Sequence, residues 1–172
     1  MWIQTYSGRQ FDLTDPSSCV YIRDIAHALS NVCRFAGHTN VHYSVAQHCV
    51  LVSQHCKHAL WGLLHDAAEA YIGDVPRPVK RVASGVQDLE TVILKRIAEQ
   101  FRLEWPIPEE VCIVDRRISL DEKRCLMGKS PVPWTIENFY KPLDIEIVAW
   151  SPAAAEQAYL KRFKDILTFH QP

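Results

Sequence analysis

Residues 63–80 read LLHDAAEAYIGDVPRPVK, which sets His65, Asp66 and Glu69 inside one turn of an apolar helical run. At helical spacing His65 and Glu69, four apart, share a face, and Asp66 lies one position round. Ionised carboxylates against an apolar wall need a partner or they protonate. A metal ion or a bound substrate would supply one, and a divalent cation satisfies both carboxylates and the imidazole together. Taken alone, an adjacent His and Asp on a helix are usually surface or capping residues. Two residues elsewhere bear on the choice. His48, in SVAQHCVLVS, shares a face with Val45 and Val52, and Asp115, in VDRRISLDE, lies beside the stripe Val111, Val114, Ile118. A lone histidine there is more often a hydrogen-bonded core residue, whereas an aspartate there needs a cation or several donors. The chemical reading therefore strengthens if His48 and the His-Asp pair converge on Asp115.

The elements that must position these groups are mostly helices. Residues 2–13 alternate around a Ser-Gly-Arg turn and predict a hairpin packed on a helical body. Ile22, Ile25, Leu29 and Val32 predict a helix ending near Phe35 and Gly37, with Arg34 at its carboxyl end. Ser44 and Gln47 form a capping box that opens a second helix carrying Val45, His48, Val52 and His55. A third helix is expected from about 59 to 72, stopped by Gly73 and followed by a loop shaped by the prolines of DVPRPVK. A fourth, about 86–101, presents Lys95, Arg96 and Glu99 outward and carries no evident chemistry. A fifth takes in EEVCIVDRRISLDEKRCL, and a last one starts at Ser151-Pro152 and buries Ala155, Tyr159, Phe163 and Ile166. Residues 128–150, with three prolines and no period, read as an irregular cover with a short extended piece at DIEIVAW.

Composition bounds the function. The 172 residues form one expected domain, 1–172, and 19 basic against 20 acidic side chains leave no electrostatic footprint for general nucleic-acid or membrane binding. An anionic substrate must then be held by local positive charge. The opening MWIQTYSGRQ has no signal-like pattern and no apolar run is long enough to span a bilayer, so a soluble, intracellular protein is expected. Six cysteines without a CxxC pair read as reduced, mostly buried small hydrophobes.

The segments carrying His48, His65-Asp66 and Asp115 together resemble the H…HD…D signature of the HD-domain metal-dependent phosphohydrolases. The stretch LLHDAAEAYIGDVPRPVK is similar to its counterpart in bacterial 5'-deoxynucleotidases of the YfbR type and in small phage HD proteins that include dATP triphosphohydrolases. The GRQF opening and IAHALSNVCRFAGH resemble the same group. The likeness covers most of the chain and implies a compact all-α HD-domain bundle with a small N-terminal β-hairpin. It implies His48, His65, Asp66 and Asp115 as metal ligands, Glu69 as the acid/base residue, and Arg34, Phe35, Asp74, Pro78 and Lys80 as the nucleotide site. It also implies a homo-oligomer in the cytoplasm of a bacterium or a phage-infected host cell. Two imidazoles and two carboxylates suit Co, Mn or Zn, with Mg as an additional ion accompanying the substrate. Where the 5'-deoxynucleotidases carry Arg-Trp this chain has Arg34-Phe35, a less bulky wall against a ribose 2'-hydroxyl. Arg34 and Lys80, with Arg116 or Arg117, favour a polyphosphate, so the expected activity is a dNTP triphosphohydrolase, dATP first. The alternatives are a 5'-deoxynucleotidase acting on dNMPs and an HD protein that binds nucleotides without turnover.

Overall fold

The computed structural model describes residues 2–169. Strands β1 (Trp2–Gln4) and β2 (Gln10–Asp12) pair antiparallel, with Ile3 opposite Phe11. Their connection turns at Gly8, whose φ of 76° is open to glycine without steric cost. The hairpin is fixed to the body by three devices. Phe11 is buried and stacks on Tyr71, Ser7 donates two 2.8 Å hydrogen bonds to buried Asp24, and Arg96 donates to the carbonyls of Asp12 and Leu13. Arg96 therefore clamps the hairpin instead of facing solvent.

The body is helical: α1 (Ile22–Asn31), α2 (Val45–His55), α3 (Ala59–Leu64), α4 (Glu69–Ile72), α5 (Arg77–Val82), α6 (Ser84–Phe101), α7 (Glu109–Leu126) and α8 (Pro152–Phe169). One apolar cluster joins α1, α2, α3 and α8 through Ile25, Leu29, Cys49, Leu63, Ala155 and Tyr159. A second joins α2 and α3 to α7 through Val52, Trp61, Val111, Val114 and Ile118. Helix α2 is thus buried on several sides. No helix among the described residues is long and apolar enough to cross a membrane.

Four local expectations change. Helix α1 stops at Asn31 rather than near Phe35, because the backbone turns extended to pair with the approach to α2: Arg34 N–H donates to Tyr43 O and Val45 N–H to Val32 O. The helix expected over 59–72 is interrupted at residues 65–68, where Ala67 N–H reaches Leu64 O and Glu69 N–H reaches Asp66 O, the three-residue repeat of a 3-10 turn. The DVPRPVK loop contains a helix, α5, with Pro78 in its first turn, where a missing N–H costs nothing. The capping box is half made: Ser44 accepts from Gln47 N–H, but the Gln47 side chain bonds Val148 O and Trp150 N–H. That last pair belongs to a wider pattern. Residues 141–150 form no strand, and their backbone groups are met by Gln47, Arg117, Asp121 and Arg124. The six cysteines are free, but only Cys49 is buried and Cys19 is exposed.

Candidate metal centre and pocket

Helix α2 brings His48, the α3–α4 turn brings His65 and Asp66, and α7 brings Asp115. His48 Nε2 lies 3.3 Å from His65 Nε2, 3.3 Å from Asp115 Oδ1 and 3.7 Å from Asp66 Oδ2, and His65 Nε2 lies 3.2 Å from Asp66 Oδ2. Donors each about 2.0–2.2 Å from one ion stand apart by such distances. Among the described residues two overlapping groups could hold a metal ion: His48, His65 and Asp115, all buried, and His65 with half-buried Asp66 and Cys49. Each imidazole is oriented through its other nitrogen: His48 Nδ1 is 2.6 Å from Glu122 Oε1, and His65 Nδ1 is 2.8 Å from Gly62 O. Both Nε2 atoms therefore face the carboxylates, the outer-shell arrangement of metal-ligating histidines. Cys49 Sγ also lies near His65 and Asp66, and in the metal-free protein burial, reinforced by Asp66 and Glu69, pushes its thiol well up.

The 3-10 turn alters which residues align. Three residues per turn bring Asp66 and Glu69 over one another, so the His65–Glu69 alignment expected from an α-helix gives way to an Asp66–Glu69 one. Glu69 is 3% exposed, and its Oε2 has no hydrogen-bond partner. Burial pushes its carboxyl well above the ordinary range, and Asp66 and Asp74 add to this against Lys80 and Arg34. Asp66 goes the other way: burial would raise it, but His65, His48 and Arg34 hold it well below the usual carboxylate range. For His48, burial and Arg34 push down, yet Glu122 and Asp115 outweigh both and raise it to about 9.

Around this floor opens a pocket of about 550 Å³, within the size of small-molecule sites. Arg34, Phe35, Asp74, Pro78 and Lys80 all line it, as do Asp66, Glu69 and Asp115, while His48 and His65 sit behind. Arg34 bonds Glu122 Oε2 at 3.0 and 3.2 Å and Asp66 at 3.4 Å; Lys80 lies 2.7 Å from Glu90 and 3.4 Å from Glu69; Asp74 accepts from Phe35 N–H at 2.8 Å. Arg77 pairs with Asp115 Oδ2. Arg116 and Arg117 do not reach the pocket: they bond Tyr140 and the carbonyls of Lys141 and Pro142. His42 bonds Ser30 O, and His38 is exposed.

Glu122, Glu90 and Trp134 are absent from the sequence reading. Glu122 was legible in principle, since it lies seven after Asp115 and four after Ile118 on one helix face. Glu90 and Trp134 carry no such signal, because each depends on a contact made across the fold.

No family model matches the chain. It is 35% identical over 170 residues to the uncharacterized protein YfdR of Escherichia coli (strain K12), an alignment covering 96% of this chain and 95% of that protein. It is also 35% identical over 123 residues to the uncharacterized protein RCAP_rcc00048 of Rhodobacter capsulatus, covering 64% of this chain and 63% of that one. With nearly the whole length of both chains aligned to the Escherichia coli protein, this chain belongs to the YfdR family.

Proposed function

We propose that this protein is an HD-type, metal-dependent nucleotide phosphohydrolase, with His48, His65, Asp66 and Asp115 holding one divalent ion of the Mn, Co or Zn kind. The observation that carries the reading is the meeting of two Nε2 atoms and two carboxylates beside a buried glutamate with a free oxygen. When bound, such an ion supplies Lewis acidity toward a water and a phosphoryl oxygen. Glu69 is the group that moves the proton: Oε2 takes it from the attacking water and returns it to the leaving oxygen. Lys80, tied to Glu69 and Glu90, keeps positive charge beside that carboxylate. Asp74 fixes the Phe35 backbone, which holds the Arg34 side of the pocket in place.

Charge separates the two candidate substrates. Arg34, Arg77, Lys80 and Arg81 line the pocket, but so do Asp66, Glu69, Asp74 and Asp115. With Glu69 ionised, as its role as the base requires, one divalent ion added to that set matches a phosphomonoester dianion better than a triphosphate, so the charge favours 5'-deoxynucleotidase action on dNMPs over the triphosphate expected from the sequence. The dNTP reading, dATP first, keeps one observation in its favour. Arg77 has a 53% exposed side chain and Arg81 is exposed at the same pocket, where a longer phosphate chain would meet them. The metal-loaded protein incubated with the four dNMPs, the four dNTPs and their ribose counterparts, with products read by phosphorus NMR, tests all of this. Orthophosphate from monophosphates is the expected result, and inorganic triphosphate from dNTPs selects the second reading. No phosphate release from any of them rejects the phosphohydrolase. Equal turnover of ribonucleotides shows that Phe35 does not exclude the 2'-hydroxyl.

A further inference from the structure

The pocket is lined by two unlike sets of side chains. Beside the ionic ones stand Phe35, Val75, Pro78, Pro133, Trp134 and Ile136. Phe35 and Trp134 are in contact, with ring centroids 5.8 Å apart and planes at 50°. Both rings are held in place, Phe35 by a costly backbone arrangement and Trp134 by hydrogen bonding around its turn. Phe35 and Ala36 have φ values of 55° and 51°, a region side-chain-bearing residues seldom occupy, and the Phe35 N–H is fixed on Asp74. Trp134 opens a 3-10 turn, Thr135–Asn138, in which Glu137 Oε1 accepts the Trp134 N–H at 2.6 Å and also pairs with Lys123 of α7. Lys123 lies over the indole, 5.2 Å from its centroid, although it lines a separate cleft. The indole is therefore tied to the helix that carries Asp115, and its place relative to the ionic floor is set by α7.

A phosphate centre alone has no use for an aromatic wall. We propose that Trp134 is the base-binding residue of this pocket: the nucleobase stacks on its indole, backed by Phe35, while the 5'-phosphate lies toward Arg34, Arg77 and Asp115. The inference rests on the nucleotide reading above. Stacking is tolerant of sequence because every base has a π face, and truncating one aromatic platform to alanine costs roughly tenfold or more in affinity per base. The wall thus recognises the class of ligand, a nucleobase, without selecting one base.

The test is equilibrium binding by calorimetry to metal-loaded Glu69→Gln protein, with dAMP and 2-deoxyribose 5-phosphate as the two probes. Trp134→Ala should weaken dAMP by about tenfold or more and leave 2-deoxyribose 5-phosphate nearly unchanged, and Trp134→Phe should recover most of the dAMP affinity. Unchanged dAMP binding in Trp134→Ala overturns the assignment. So does equal weakening of both probes, which marks a merely structural role. If neither probe binds the protein that retains Trp134, the nucleotide reading itself fails and this inference with it.

Discussion

Helix α2 serves two regions built on opposite terms. On the α1, α3 and α8 side, Cys49, Val45 and Ala46 join Leu29, Leu63 and Tyr159 in an interior where stability comes from apolar area removed from water. Toward α7, His48 meets Asp66, Asp115 and Glu122, with Arg34 bonded to the last. There burial opposes every charge it encloses, and only mutual pairing keeps those charges ionised. A packed core needs no ionisable seam through it, so the second region costs stability that the first does not, as the proposed metal site would require. The two regions should answer to substitution in different ways.

The largest contrast is expected at Asp66. Asp66→Ala removes an oxygen from the four-donor cluster, and elemental analysis of the purified variant should find no retained divalent ion and assays no turnover. Wild-type metal content in Asp66→Ala and again in His65→Ala would place the ion elsewhere.

Next come two buried residues of comparable burial, Glu122 and Leu29, both 0% exposed. Glu122→Ala strands His48 Nδ1, leaves Arg34 its weaker 3.4 Å bond to Asp66, and should cost about 3–5 kcal/mol in urea unfolding. It should also weaken metal binding roughly 10–100-fold, because His48 loses the carboxylate that orients it. Leu29→Ala should cost a similar amount, about 2–5 kcal/mol, but leave metal affinity alone. Equal metal affinity in both variants would erase the distinction between the regions.

Much of this division could be read from the sequence, because the apolar period reports burial directly. Helix α7 has the span its stripe predicted, the hairpin pairs across the expected turn although only Phe11 of its strands is buried, and Ser151-Pro152 marks the start of α8. The four proposed ligands converge because two sat on apolar faces and two in a motif. What stayed hidden depends on backbone competition or distant partners. ALWGLLHDAAEAYI has no proline, and its one glycine, Gly62, lies inside α3 before the turn, so nothing local reveals that residues 65–68 tighten to a 3-10 turn and align Asp66 with Glu69. The end of α1 is set by pairing with residues 43–45, which periodicity cannot register. Glu122 falls on the buried face of Ile118 and Asp115, so its burial could be read from the period, but its partners Arg34 and His48, far away in sequence, could not.

Titration should separate the regions more gently. In metal-free protein His48 has its pKa raised from 6.5 to about 9 by Glu122 and Asp115 acting against burial and Arg34. A raised histidine contributes stability that is fully present below pH 6.5 and lost as pH rises through about 9, a loss of roughly 3 kcal/mol at about 1.36 kcal/mol per unit. The slope should vanish with a divalent ion bound, since His48 is then neutral at every pH where the ion stays. Metal-free unfolding curves that do not change from pH 6.5 to 9 would show that the carboxylates do not hold a proton on His48.

The last contrast is smallest in free energy and most specific in sign. Glu69 is buried with Oε2 unpartnered, and burial with Asp66 and Asp74 pushes its carboxyl up, so ionising it in the folded state costs more than in the unfolded chain. A carboxyl raised in this way subtracts stability once pH exceeds the ordinary glutamate range. Glu69→Gln removes that charge, and Lys80 keeps Glu90 at 2.7 Å as its partner. The variant should therefore retain its metal, unfold at higher urea than wild type at pH 7, and lose about a hundredfold in turnover, the scale of an acid/base group. No single substitution in the Leu29 region is expected to combine greater stability with lost activity, because nothing there is held against its own preference. A Glu69→Gln protein that loses stability, or turns over at the wild-type rate, would mark Glu69 as a structural carboxylate and return it to the same category as the core.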